Sequence, residues 1–310
     1  MKLIMDVDTG IDDSLAISYA SSLENVELIG ITTSFGNVVV DYAVKNTLNI
    51  LKLLNREDVP VYRGAEHSLL RDYKTSDHLY KIHGLNGVGN VDMGEPNRKV
   101  EDKAADDFLV EATKKYGNEL AIVAVGPLTN LANAIKKDKE AISTINKIVI
   151  MGGAVTVPGN ITRLAEANIY ADPEAAKFVF ESGVPITVVG LDVTLKTFIT
   201  GEDIKSWNTK TPIGKALSEM ATYYYTNEYD GVIGGAMHDP LAVDIAVNPD
   251  VVTDLLPINL TVETDEPSIG RTIGNFHLLN REKKDHLLIT DINAKAFSER
   301  FVKAIEKITE

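Results

Sequence analysis

Residues 3–13 read Leu3-Ile4-Met5-Asp6-Val7-Asp8-Thr9-Gly10-Ile11-Asp12-Asp13, and this stretch decides the fold. Residues 3–7 form a short, mostly apolar run of strand length, Gly10 permits a tight turn, and a helix is expected over about 12–22. The alternation continues outward. Further strands are expected at residues 28–33, 120–125, 147–151 and 186–189, with helices near 42–54, 105–116 and 173–182. Asp172-Pro173 supplies the last of these helices with an N-cap and a proline at its first position. Short apolar runs separated by amphipathic helices are the pattern of parallel strands joined by crossover helices, so the predicted class is α/β, an open, mostly parallel sheet with helices on both faces. Beyond residue 200 the alternation weakens to a helix around 213–226, a strand-rich region from 257 to 290 and a closing helix over 293–308. No linker-like tract, low-complexity segment or fixed-period repeat divides the chain, and residues 1–310 are expected to form one domain.

In an open parallel sheet, ligands bind beyond the carboxyl ends of the strands. Asp6, Asp8, Asp12 and Asp13 put four carboxylates there within eight residues. One or two aspartates at a helix start are ordinary cap and first-turn residues. Four facing a crevice repel one another unless a cation lies between them, and with no cysteine in the chain and no histidine cluster nearby, an oxygen-seeking divalent ion such as calcium or magnesium fits best. Haloacid-dehalogenase-like phosphatases also place aspartates after a first strand. Here Gly10 stands where they want threonine or valine, and no lysine or arginine accompanies the cluster to clamp a phosphate. Response-regulator receiver domains are far shorter than this chain.

The composition narrows the partners. A formal net charge of −14 over 310 residues argues against nucleic acid and anionic membranes, which need a basic footprint. Absence of cysteine removes disulfides, thiolate zinc sites and cysteine nucleophiles. The N-terminus turns acidic at Asp6, too early for a signal peptide, and no segment is long and apolar enough to span a bilayer; a cytoplasmic location and a small neutral or cationic partner are expected.

A second constellation runs Met151-Gly152-Gly153-Ala154, Gly159-Asn160, Glu166-Ala167-Asn168 and Asp172-Pro173-Glu174-Ala175. Others are Thr32-Thr33-Ser34-Phe35-Gly36-Asn37, Ile82-His83-Gly84 in a glycine-rich loop, Gly126-Pro127-Leu128-Thr129-Asn130 and His238-Asp239-Pro240-Leu241. Together, in this order, they resemble the inosine-uridine-preferring nucleoside hydrolase family. Each alone is a common turn sequence; the specificity lies in their joint occurrence over most of the chain.

The resemblance implies a Rossmann-like fold and calcium-dependent hydrolysis of the N-glycosidic bond of ribonucleosides, with homodimers or homotetramers. It implies that Asp8, Asp13, Asp239 and the backbone carbonyl of Val125 hold calcium. Asp12 is then assigned to the ribose 2′-hydroxyl, Asn160 and Glu166 to the 5′-hydroxyl, Asn168 to the ring hydroxyls, and Asn37 to the neighbourhood of the ion. Met151 is placed among the substrate contacts, and His83 near the base together with tyrosines of the run Tyr223-Tyr224-Tyr225 or Tyr229, of which Tyr225 and Tyr229 are the ones selected. Cleavage builds positive charge on the ribose, as in glycoside hydrolysis. Asp8 is the expected general base for water attacking with inversion, and His238 the expected acid for the leaving base. Thr9 and Val125 depart from the family's usual proline and threonine, and Ala167 stands where relatives carry a large aromatic residue, which enlarges the pocket. Arg163 and Leu164 interrupt a stretch that is usually small and polar. The reading from another class is a non-catalytic, metal-dependent nucleoside-binding protein, separable by whether free ribose is released.

Overall fold

The computed structural model describes residues 1–72, 75–207, 209–228 and 234–310. The strands, in chain order, are β1 (Lys2–Val7), β2 (Glu27–Thr33), β3 (Val61–Arg63), β4 (Leu120–Ala124), β5 (Lys147–Met151), β6 (Ile186–Val189), β7 (Ile199–Thr200), β8 (Gly234–Gly235), β9 (Val252–Ile258), β10 (Leu260–Val262), β11 (Thr272–Gly274) and β12 (His286–Ile292). The helices are α1 (Ile11–Ser22), α2 (Val40–Leu53), α3 (Asp77–His83), α4 (Ala105–Tyr116), α5 (Thr129–Ile142), α6 (Ala167–Ala171), α7 (Pro173–Glu181), α8 (Leu191–Thr194), α9 (Gly201–Ser206), α10 (Pro212–Glu228), α11 (His238–Val247) and α12 (Ala294–Thr309).

Eight strands form one sheet in the order β3-β2-β1-β4-β5-β6-β12-β9, parallel except where β9 runs against β12. The α/β class stands as read, and so do the five expected strands apart from one-residue shifts at an end of three of them. Their legibility has a simple cause: β1 and β4 are buried on both faces, so their sequences are near-continuous apolar runs. One core cluster draws on α1, α2, α10, α11 and α12 and the other on α4, α5 and α7, which places helices on both sides of the sheet. From β1 the chain builds outward to β2 and β3, then returns to β4 on the other side of β1. The reversal of strand order opens a crevice between the carboxyl ends of β1 and β4, and this positions the site.

Two expectations need correction, and one helix went unread. His238-Asp239-Pro240 is the first turn of α11; Pro240 is tolerated there because the first backbone N–H groups of a helix have no internal partner. That helix is buried nearly all round, so it lacks the amphipathic period by which helices are recognised. His83 is the last residue of α3, which Ser76 caps by accepting from the Leu79 N–H, where a glycine-rich loop was expected. The strand expected to reach residue 125 stops at Ala124, leaving Val125 in the crevice. Among the described residues, no helix is long and apolar enough to cross a membrane.

Candidate active site

The chain leaves β1 at Val7 and enters α1 through Asp8-Thr9-Gly10. Asp13, in the first turn of α1, folds back over this loop: its carboxylate accepts from the N–H of Asp8 at 3.1 Å and of Gly10 at 2.8 Å, and from Asn37 Nδ2 at 3.2 Å. A side chain at position 10 would lie 2.7 Å from His83 Nδ1 and 2.8 Å from Asn37 Nδ2, so glycine is needed for close approach. Asp8 Oδ2 accepts from the Asn37 N–H at 2.6 Å.

The oxygens left over are the informative ones. Asp8 Oδ1, Asp12 Oδ1 and both oxygens of Asp239 are buried with no hydrogen-bond partner among the described residues. One oxygen each from Asp12, Asp13 and Asp239 lie within 4.8 Å of one another. Asp8, Asp13 and Asp239 are almost wholly buried, while Asp12 is half-buried in a cavity wall. Burial first, and then mutual repulsion, hold Asp8, Asp12 and Asp239 well above the usual carboxylate range. Asp13 is raised by burial too, against the backbone N–H groups of Gly10 and Asp8. A buried carboxylate oxygen without a donor is costly unless a cation meets it. The donor set is all oxygen, so the residues present fit a hard divalent ion.

Above the carboxylates lies a cavity of about 390 Å³. Asp12, Asn37, His83, Val125, Met151, Asn160, Glu166, Asn168 and His238 line it, whereas Asp8, Asp13 and Asp239 are buried outside its wall. Asn168 Nδ2 donates to the carbonyls of Val125 at 2.8 Å and Met151 at 3.1 Å, bridging the ends of β4 and β5 and leaving its oxygen as the end for a ligand. Glu166 caps α6, accepting from the N–H groups of Asn168, Gly153 and Ile169 at 2.9–3.2 Å; burial nonetheless raises its carboxyl. Asn160 Oδ1 accepts from the Ala167 N–H at 3.0 Å, so its Nδ2 is the group left to donate.

Burial keeps two of the cavity's histidines neutral, and they meet different partners. His83 Nδ1 faces the Ile11 N–H at 3.3 Å, which puts the ring proton on Nε2, and burial pulls the imidazole down to about 3. His238 Nδ1 lies 2.8 Å from Thr194 Oγ1, and burial pulls it down to about 4.

The tyrosine expectation is corrected. Tyr225 is 1% exposed, donates its hydroxyl to the Ala236 carbonyl at 3.2 Å and lies outside the cavity wall. Tyr224 lines the wall instead, its ring 5.2 Å from that of His83. Successive helical residues point about 100° apart, so a run of three tyrosines cannot share one face. Tyr229 lies outside the described residues. Sequence reasoning also missed His78, Ile82, Glu228 and Leu195 in the wall. The spacings 78/82 and 224/228 are one helical turn each, a signal that required recognising α3 and the phase of α10.

A larger cavity, about 520 Å³, sits around the starts of β5 and β6, away from the carboxylates. Its lining is largely aliphatic, and its buried Asp285 is paired with Arg281 and Lys283. The chemistry therefore belongs to the smaller one.

Residues 3–299 match the family model described as inosine-uridine preferring nucleoside hydrolase. The chain is 41% identical over 276 residues to uridine nucleosidase 1 of Arabidopsis thaliana, covering 88% of this chain and 81% of that protein. It is 33% identical over 302 residues to the pyrimidine-specific ribonucleoside hydrolase RihA of Escherichia fergusonii, covering 96% of each. Among solved structures it superposes on the purine-preferring ribonucleoside hydrolase from Gardnerella vaginalis with a TM-score of 0.96 and 43% identity, over 100% of this chain and 99% of that one. These matches set aside the phosphatase reading, and the chain belongs to the inosine-uridine preferring nucleoside hydrolase family, enzymes that split ribonucleosides into base and ribose.

Proposed function

We propose that this enzyme uses calcium, held by Asp8, Asp13, Asp239 and the Val125 carbonyl, and that water attacks with inversion at the anomeric carbon. The observation that carries the proposal is the set of buried carboxylate oxygens without donors. Bound there, calcium supplies the positive charge that lets these carboxylates ionise together and a Lewis acid for the ribose hydroxyls and water.

The chain's own groups do the rest. Asp8 Oδ2 is held by the Asn37 N–H, so Oδ1 is the oxygen that takes a proton from the attacking water. Asp12, in the cavity wall, accepts from the 2′-hydroxyl, and the Asn168 oxygen accepts from a ring hydroxyl. Asn160 Nδ2 and the unused lone pair of Glu166 receive the 5′-hydroxyl. Positive charge growing on the ribose is stabilised by this carboxylate-rich surround. With the Thr194 hydroxyl donating to His238 Nδ1, the ring proton sits on Nε2, which donates to the departing base, and His83 Nε2 is the second donor. A neutral imidazole acts here by hydrogen bonding to the base as it leaves.

The relatives' names divide between uridine, pyrimidine and purine preference, so base choice is settled by assay. No lysine or arginine lines the cavity among the described residues, and Arg163 is exposed outside it, which supports free nucleosides over 5′-monophosphates. The decisive test is release of free ribose from a panel of ribonucleosides, deoxyribonucleosides and 5′-monophosphates, before and after exhaustive chelation. Activity lost on chelation and restored by calcium, with ribonucleosides preferred at least about tenfold, is expected. Full turnover in protein shown by elemental analysis to be metal-free would end the calcium reading. A homo-oligomer in the cytoplasm is part of the same proposal, and light scattering measures its size.

A further inference from the structure

Three carboxylates of the site arrive on two helices. Asp12 and Asp13 are in the first turn of α1, and Asp239 is in the first turn of α11. These helices pack directly on each other. Further along the same pair, Asp244 of α11 is completely buried and accepts from Tyr19 Oη of α1 at 2.6 Å, from Asn248 Nδ2 at 2.8 Å and from Arg300 Nε of α12 at 2.9 Å, with Arg300 Nη2 on its other oxygen. The Tyr19 ring is itself packed edge-on against Phe297 and Phe301 of α12. Nothing in the proposed chemistry uses this cluster.

We propose that Asp244 is a positioning residue for the cation site, with Tyr19 and Arg300 as the groups that hold it. Asp244 lies five residues beyond Asp239 and Tyr19 six beyond Asp13, so the node sits about 8–9 Å along each helix from the carboxylates it governs. A helix transmits an axial slip from one end to the other with little loss. The oxygen shell of a calcium ion tolerates distances of only about 2.3–2.6 Å, so a slip of roughly 1 Å between α1 and α11 spoils it. Tyr19 to Asp244 is the hydrogen bond that opposes such a slip, because it joins the two helices directly. Arg300, from a third helix, fixes the carboxylate's rotamer through two donors at once.

This proposal rests on the cation reading, and the test separates the two. Calorimetric titration of chelator-stripped protein with calcium, alongside the melting temperature of the stripped protein, is measured for wild type, Tyr19→Phe, Asp244→Asn and Val179→Ala. The last removes buried volume on the far face of the sheet. Tyr19→Phe keeps the ring and its packing while losing the hydroxyl, and is expected to raise the calcium dissociation constant about tenfold, with Asp244→Asn at least matching it and Val179→Ala unchanged. Dissociation constants within twofold of wild type for both node variants, whatever happens to their melting temperatures, would overturn the proposal. An equal weakening in Val179→Ala would overturn it as well, by showing that general destabilisation suffices. Wild-type protein that binds no divalent cation would instead remove the cation reading on which it stands.

Discussion

Asp239 and Asp244 lie five residues apart on one helix, both are almost wholly buried, and their surroundings are opposite. Asp244 receives donors from Tyr19, Asn248 and Arg300, while neither oxygen of Asp239 has a partner among the described residues. Folding alone accounts for the first arrangement, since a buried charge is tolerated when it is paired and fully hydrogen-bonded. The second is unfavourable for the folded chain by itself. A buried carboxylate that the fold leaves unanswered, with one further oxygen in the same state on each of Asp8 and Asp12, is built for something the chain does not contain.

The largest expected effect tests this contrast directly. Asp239→Asn should lower turnover and calcium affinity by at least about 100-fold, yet raise the melting temperature of the chelated protein near pH 8, because it removes a charge without a partner. Asp244→Asn should lower that melting temperature, costing about 2 kcal/mol, a figure reduced from the fully buried case because Arg300 is one-third exposed. Melting curves of the chelated variants check both. If both substitutions destabilise the chelated protein alike, Asp239 is a structural carboxylate after all.

A smaller effect sharpens the comparison through pH. In chelated protein, Asp8, Asp12 and Asp239 are raised well above 3.8, so the folded state keeps protons that the unfolded chain has released. Their stabilising contribution is complete below 3.8 and is lost as pH rises through the folded values. If calcium, as proposed, replaces those protons, the gap in melting temperature between calcium-loaded and chelated protein should widen from about pH 5 to about pH 8. His83 and His286, pulled by burial to about 3 and about 4, have the opposite sign. Their contribution is present above 6.5 and is lost as pH falls toward 4, with or without calcium. A calcium-dependent gap that is flat with pH would contradict the assigned carboxylates.

The smallest effect contrasts two adjacent tyrosines. Tyr224→Ala should raise KM for the preferred nucleoside about tenfold through loss of a ring in the cavity wall. Tyr225→Phe should leave KM within about twofold and cost about 1 kcal/mol of stability, the value of its bond to Ala236. Steady-state kinetics of the two variants decide it, and the reverse pattern would reassign the base-facing residue.

The same two tyrosines show where sequence reading stops. The acidic cluster was legible because its chemistry is local: four carboxylates in eight residues demand an explanation wherever they fold. The central strands were legible because burial on both faces removes polar residues from them. By contrast, α11 was hidden by its own burial, and α3 by the glycines that follow it. Choosing Tyr224 over Tyr225 needed the rotation of α10 about its axis, which a shift of one residue changes by about 100°. The tautomer of His83 is set by Ile11, 72 residues away, and no local pattern encodes it.

The pairing of α1 with α11 also has a consequence for synthesis. Tyr19 and Asp244 are 225 residues apart in the chain, so the two halves of the site emerge from the ribosome far apart in time. At about 5–20 residues per second, the N-terminal aspartates wait roughly 10–45 s before α11 exists to meet them. The strands of the first half can pair in that interval, but the ion's full shell cannot. On the proposed function, metal loading is therefore a late event in the life of each new chain, and a truncated product would carry the recognisable acidic motif without the means to use it.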